Sequence, residues 1–98
     1  MSRSVWIEKS TERKYKGLNN SDRERLKEYL TEVSELQAPS EHPKVKLLEG
    51  PKETVYRLRV GDYRVIFTTE MGKLKIWTLG ARKDIYKSIN NTYDKVSV

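Results

Sequence analysis

The chain has 98 residues, no cysteine and a formal net charge of +6 at pH 7. This length suits one domain with a modest core, and the lack of cysteine excludes disulfides and thiolate metal sites. No apolar run reaches the roughly 18 residues of a membrane-spanning helix, and the N-terminus has no stretch typical of a signal peptide. We therefore expect a single domain over residues 1–98 that is cytoplasmic and contacts no membrane.

The positive charge is confined to the second part of the chain. Residues 1–41 contain eight Lys or Arg and eight Asp or Glu, whereas residues 42–98 contain twelve and six and carry the whole net charge. A basic excess on one part of a small domain indicates an anionic partner such as nucleic acid. A basic surface that only keeps the protein in solution is the alternative.

The first elements predicted along the chain are a strand and a short helix. Residues 4–9 are rich in β-branched and aromatic side chains and contain no helix start signal, which is typical of a strand. Ser10 or Thr11 can then begin a helix that runs to about Tyr15 and stops at Gly17.

A longer amphipathic helix follows. Residues 21–24, Ser-Asp-Arg-Glu, match a capping box, in which the serine and the glutamate each satisfy a backbone N–H of the first turn. Apolar residues then recur at helical spacing and form one stripe: Leu26, Tyr29, Leu30, Val33 and Leu36. The sequence Ala-Pro-Ser at residues 38–40 ends this helix.

From Val45 onward the pattern changes from helical to alternating. Three strands and a short last helix are predicted, at residues 55–60, 63–68, 73–79 and 83–90. Gly61-Asp62 fits a two-residue hairpin turn between the first two of these strands. The predicted class is α+β, with an N-terminal strand and a helical hairpin packed on an antiparallel sheet and a short C-terminal helix.

The hairpin turn decides which side chains share a face of the sheet. With Gly61-Asp62 as the turn, Arg59 lies directly opposite Arg64. We call the side of the sheet that carries Arg57, Arg59 and Arg64 the arginine face. The opposite side is apolar and carries Tyr56, Leu58, Val65 and Phe67.

The arginine face requires a counter-charge. Like charges directly opposed on a sheet are destabilising by roughly 0.2–1 kcal/mol, and neither strand contains an acidic residue. A phosphate backbone would supply the charge, and a guanidinium group can bind two phosphate oxygens at once. The alternative is a solvated strand face whose arginines pair with acidic residues from a loop.

Three segments resemble a known family. Residues 56–67, Tyr-Arg-Leu-Arg-Val-Gly-Asp-Tyr-Arg-Val-Ile-Phe, resemble the central signature of the RelE/ParE superfamily of toxin–antitoxin systems. Residues 46–50 resemble the Lys-Leu-x-Gly element that precedes it, and residues 80–86 resemble the closing Gly-x-Arg-x-x-x-Tyr element. The resemblance covers nearly the whole chain and implies the RelE-like fold, with a cognate antitoxin protein as partner.

The resemblance also implies a function. RelE-like members are ribosome-dependent endoribonucleases, so the substrate would be mRNA on the ribosome. The catalytic positions that it implies are Arg57, Arg59, Arg64, Arg82 and Tyr86. Further RNA contacts are expected at Lys46, Lys83 and Lys87. Two alternatives remain: ParE-like members share the fold but inhibit DNA gyrase, and an inactive member could serve only as a binding module.

The implied reaction is attack of an RNA 2′-hydroxyl on the adjacent phosphate. It needs no metal or small-molecule cofactor, and the sequence offers no cluster of His, Cys and Asp typical of a metal site. Arg59 and Arg64 are candidates to stabilise the transition state, Arg82 to assist the leaving oxygen, and Tyr86 to stack on a base or accept the 2′-proton. Some relatives have lysine where this chain has Arg57 and Arg59. Arginine keeps its proton and is a poor general base, so the base is unassigned.

The histidine and the tryptophans have plainer interpretations. His42 is expected to be an exposed loop residue rather than the catalytic base. Trp6 is expected in the core or in an interface. Trp77 is expected to pack in the sheet or under the terminal helix, although the nearby Lys73 and Lys75 leave stacking on a nucleobase as an alternative.

Overall fold

A computed structural model describes residues 3–48 and 55–81 of the chain. Its α-helices and strands are, in chain order, β1 (Ser4–Ile7), α1 (Lys9–Lys16), α2 (Asn20–Glu35), β2 (Val45–Leu48), β3 (Val55–Val60), β4 (Tyr63–Glu70) and β5 (Lys73–Ala81). A short 3-10 helix, Pro39–Glu41, lies between α2 and β2. The strands form one sheet in the order β1-β5-β4-β3-β2. The predicted α+β class is therefore confirmed, while the helix predicted at 83–90 lies outside the described residues.

The sheet extends beyond the predicted three strands at both edges. Strands β3, β4 and β5 pair antiparallel, as expected, and β2 pairs antiparallel with β3. The N-terminal strand β1 joins the sheet by pairing parallel to β5, which makes the sheet mixed. The other addition, β2, was not predicted as a strand, because its four residues, Val-Lys-Leu-Leu, show no alternating pattern.

The long helix α2 begins two residues earlier than its predicted cap allows. Asn19 is the N-cap, and its side-chain oxygen accepts from the Asp22 backbone N–H at 2.8 Å. The predicted capping box at residues 21–24 is therefore wrong. Asparagine and serine are similar in strength as N-caps, so the sequence alone did not distinguish the two starts.

The core lies between α2 and the apolar face of the sheet. Four residues of the predicted stripe are confirmed, since Leu26, Leu30 and Val33 are buried and Tyr29 packs against them. They belong to one cluster with apolar residues of all five strands and of the helical hairpin. The fifth residue of the stripe, Leu36, is the C-cap of α2 and lies outside the cluster. At its centre Phe67 is fully buried and stacks on Tyr56 with ring centroids 5.2 Å apart. This packing holds β3 and β4 in place and so positions the arginine face on their other side.

A β-bulge interrupts the pairing of β4 with β5. Ile66 pairs with Thr78 and Phe67 with Ile76, so Trp77 is the extra residue on β5. The Trp77 carbonyl accepts a 2.8 Å hydrogen bond from the hydroxyl of Thr11, which is 2% exposed. Thr11 thus ties α1 to the bulge instead of capping the helix.

Replacing Thr11 by valine is expected to lower the free energy of unfolding by about 1–3 kcal/mol. Valine keeps the shape but removes the buried Thr11 hydroxyl that donates to the Trp77 carbonyl. Urea unfolding followed by circular dichroism measures the change. The matched control is Thr31→Val, because Thr31 is exposed and its hydroxyl donates to a carbonyl of its own helix, that of Lys27. An equal loss in both variants would contradict this role for Thr11.

Candidate nucleic-acid interface

The hairpin between β3 and β4 has the predicted turn and register. Gly61 has a φ of 58°, whereas the φ of Asp62 is negative. This combination matches a two-residue turn with glycine in the first position. Arg59 pairs with Arg64, so the predicted pairing of the two arginines is confirmed. A Cβ at Gly61 would lie 3.3 Å from Nη1 of Arg25, so this exposed arginine of α2 lies beside the turn. No sequence pattern indicates Arg25, because only the packing of α2 brings it beside the turn.

Arg59 and Arg64 approach closely. The backbone N–H of Arg59 donates to the Lys44 carbonyl at 2.9 Å, on the side away from β4. Arg59 and Arg64 therefore form a non-hydrogen-bonded pair, in which opposite Cα atoms are only about 4.5 Å apart. Arg59 is exposed. Two positive side chains thus start from neighbouring positions on the same face, which is the arrangement that an anion between them would stabilise.

Arg64 is held rigidly. It is 8% exposed, and its Nη1 donates to the carbonyls of Gly61 and Tyr63, both at 3.0 Å. The guanidinium therefore fastens the hairpin turn as well as lying on the arginine face. A freely solvated strand face, which was the alternative interpretation, does not describe Arg64.

Arg57 carries a buried donor without an acceptor. It pairs with Ile66 on β4 and is half-buried. Its Nε is buried and has no hydrogen-bond partner in the described part of the chain. Between described residues, no ion pair involves Arg57 or Arg59. An unsatisfied buried donor costs about 1–3 kcal/mol, so a bound phosphate oxygen would stabilise this side chain.

The remaining predicted site residues divide into two groups. Lys46 is exposed and pairs with Arg57 across β2 and β3, which places it on the arginine face. The other predicted residues lie outside the described residues: Arg82, Lys83, Tyr86 and Lys87. In the described ranges, 3–48 and 55–81, no group of three or more His, Asp or Glu could hold a metal ion. No helix in those ranges is long and apolar enough to cross a membrane.

His42 is buried, so its prediction as an exposed loop residue is wrong. It is 6% exposed, and its Nε2 lies 2.7 Å from the Glu32 carboxylate of α2. Its Nδ1 accepts from the Lys44 backbone N–H at 3.1 Å. A ring nitrogen that accepts carries no proton, so in the neutral ring Nε2 is the donor to Glu32. His42 therefore joins α2 to the start of β2, at the strand edge beside Arg59, and has a structural role.

The comparisons with known proteins agree with this geometry. The chain is 30% identical to the RelE of an archaeal RelE–RelB complex from Pyrococcus horikoshii OT3, with a TM-score of 0.71, and the match covers 84% of this chain and 97% of that one. The chain belongs to the RelE toxin family. The superfamily resemblance of residues 56–67 is thereby confirmed.

Two further structures have the RelE fold at lower identity. The RelE-type chain of an antitoxin–toxin complex from Methanococcus jannaschii is 23% identical with a TM-score of 0.70, over 86% of this chain and 98% of that one. A mutant of the E. coli toxin RelE in the free state is 19% identical with a TM-score of 0.68, and the match covers 94% of this chain and 98% of that one. No protein-family model matches the chain. No curated protein matches it either.

Proposed function

We propose that this RelE-family protein is the toxin of a toxin–antitoxin system and a metal-independent, ribosome-dependent endoribonuclease that cleaves mRNA. The observation that carries the proposal is the arginine face. Arg59 and Arg64 are directly opposed, and Arg57 beside them has a buried donor with no acceptor in the described residues. An RNA phosphate supplies both the acceptor and the counter-charge. Family membership favours RNA over other polyanions.

The proposed reaction is a transesterification within the RNA. The 2′-oxygen forms a bond to the adjacent phosphorus, the bond from phosphorus to the 5′-oxygen breaks, and a cyclic phosphate remains. Arg59, exposed and without an ion-pair partner among the described residues, stabilises the extra charge on the phosphorane-like transition state. Arg64 is already fixed by the turn carbonyls, so it needs little reorganisation when that charge develops.

Residues of the closing motif complete the proposed site. Arg82 follows directly after Ala81, the last residue of β5, and the family resemblance gives it the role of assisting the leaving 5′-oxygen. Tyr86 stacks on a base or, as its phenolate, accepts the 2′-proton. Lys46, Lys83 and Lys87 are proposed to contact phosphates on either side of the cleaved bond.

A cognate antitoxin is the proposed protein partner. The structures from P. horikoshii and M. jannaschii are complexes of RelE with RelB. By analogy, a segment of an antitoxin wraps this protein and covers or distorts the arginine face. The basic surface described above favours an antitoxin segment rich in acidic residues.

Two assays on the purified protein test the proposal against gyrase inhibition. Added to a cell-free translation reaction, the protein is expected to fragment a reporter mRNA while leaving DNA supercoiling by purified gyrase unaffected. Inhibited supercoiling with intact mRNA would reverse the assignment and make the arginine face a docking surface. The RelE-type activity is preferred because the similar structures are RelE proteins.

A further inference from the structure

Trp6 presents an oriented aromatic ring on an edge strand. It lies on β1 and is 54% exposed, so of its two expected places, the core or an interface, the core is excluded. Its indole N–H donates to the Ser4 hydroxyl at 3.0 Å, and Nζ of Lys73 lies 4.8 Å from the ring centroid. These two contacts fix the orientation of the ring while about half of its surface stays accessible. Such a ring is a ready stacking surface.

The ring forms one wall of a hollow of about 350 Å³. This volume falls in the range of small-ligand sites, roughly 300–1,000 Å³. The other residues that line it include Glu8, Lys9, Glu70, Met71, Lys73 and Lys75. Glu8 pairs with Lys75 at 3.6 Å, whereas Lys9 and Lys73 form no ion pair with the described residues. With three lysines against two glutamates, the lining keeps one excess positive charge beside the ring, which favours a phosphate.

The hollow opens on the arginine face. Nε1 of Trp77 donates to the Thr68 hydroxyl at 2.8 Å, and Nζ of Lys75 lies 4.1 Å from the Trp77 ring. Thr68 is four residues beyond Arg64 on β4, which pairs with β3 without a register shift, so both point to the same side. Trp6 pairs with Lys75 in the parallel register. The hollow is thus about 14 Å along the strand and about 10 Å across the sheet from Arg64.

We propose that Trp6 stacks on an unpaired base of the RNA strand whose phosphates contact the arginine face. This inference rests on the proposed function and adds a second contact zone to it. Aromatic rings stack on any base, and neighbouring lysines bind the phosphates that flank it. Tryptophan is also common in protein interfaces, but the lysines beside this ring favour a polyanion over an apolar protein surface.

Binding of a fluorescein-labelled single-stranded RNA to the full chain tests the proposal. Trp6→Leu keeps an apolar side chain but removes the ring, and it is expected to raise the Kd for the RNA roughly 5- to 150-fold. Trp6→Phe keeps an aromatic ring, so its affinity for the RNA is expected to fall less than that of Trp6→Leu. The control is Leu47→Ala, because Leu47 is 48% exposed on the opposite edge strand, β2. The Kd of this variant for the RNA should equal that of the wild type.

Tryptophan fluorescence gives an independent reading. The chain has two tryptophans, so in Trp77→Phe the emission comes from Trp6 alone, and bound RNA is expected to quench it. Unchanged emission together with an unchanged Kd for Trp6→Leu would overturn the stacking proposal. A Trp6→Leu variant that loses a protein partner but not RNA would overturn it as well. Cleavage of mRNA by the same preparation decides the proposed function separately, since cleavage does not require Trp6 to stack.

Discussion

Replacing Arg59 by alanine is expected to slow mRNA cleavage by about 100- to 1,000-fold, the usual loss when one donor to a transition-state oxyanion is removed. Arg59 is exposed, and none of the side-chain hydrogen bonds or ion pairs between described residues involves it, so truncating it breaks none of those bonds. The free energy of unfolding should change by less than about 0.5 kcal/mol. Because Arg64 lies directly opposite, the loss of one like charge even favours folding slightly. Single-turnover cleavage in a cell-free translation reaction measures the rate.

The matched control for Arg59 is Lys14→Ala. Lys14 is an exposed residue of α1, so the variant loses the same charge away from the arginine face. It should cleave at the wild-type rate. Arg59→Lys keeps the charge but cannot bind two phosphate oxygens at once, so an intermediate rate is expected. Equal rates for Arg59→Ala and Lys14→Ala would show that Arg59 takes no part in the reaction.

Replacing Phe67 by alanine is expected to lower the free energy of unfolding by about 3–5 kcal/mol. Phe67 is fully buried at the centre of the core and stacks on Tyr56, so the change removes an aromatic contact and leaves a cavity between α2 and β4. A small domain is commonly stable by only about 5–15 kcal/mol. The variant should therefore unfold at a much lower urea concentration, as measured by circular dichroism.

The control for Phe67 is Met71→Ala. Met71 is 94% exposed in the turn after β4, so its removal should change stability by less than about 0.5 kcal/mol. A loss below about 1 kcal/mol for Phe67→Ala would contradict the assignment of the core to the apolar face of the sheet. The arginine face would then lose its structural basis, because both faces follow from the same register.

The hairpin could be predicted from the sequence because local rules decide it. A glycine followed by aspartate between two alternating segments permits one register, and that register places Arg59 against Arg64. The stripe of α2 was likewise predictable, since helical spacing alone selects Leu26, Leu30 and Val33. These two local patterns already determine which face of β3 and β4 is buried.

Non-local contacts were beyond the sequence patterns. Strand β2 has no alternation of its own and is a strand because it pairs with β3. His42 is buried because α2 supplies Glu32 as its partner across the fold. The bulge at Trp77 depends on the Thr11 hydroxyl, which comes from α1. Each of these features requires contact between two segments that are distant in sequence, and no short motif predicts such a contact.

The arginine face was predicted in outline, but its details were not. Alternation placed Arg57, Arg59 and Arg64 together, yet it could not show that Arg64 is fixed by turn carbonyls while Arg59 is exposed. The packing of α2 adds Arg25 beside the turn. These differences make Arg59 the better residue for a functional test, because an Arg64 variant also removes hydrogen bonds that hold the hairpin.

The most direct test of the central claim is to map mRNA 5′ ends in a cell-free translation reaction with the purified protein, with and without ribosomes. If the protein cleaves ribosome-bound mRNA by attack of the 2′-hydroxyl, new 5′ ends within codons are expected only when ribosomes are present. The same ends should be lost in Arg59→Ala. Intact mRNA at protein concentrations that inhibit translation in the same reaction would contradict the proposal that the arginine face is a ribonuclease site. Cuts that persist in Arg59→Ala would contradict it as well.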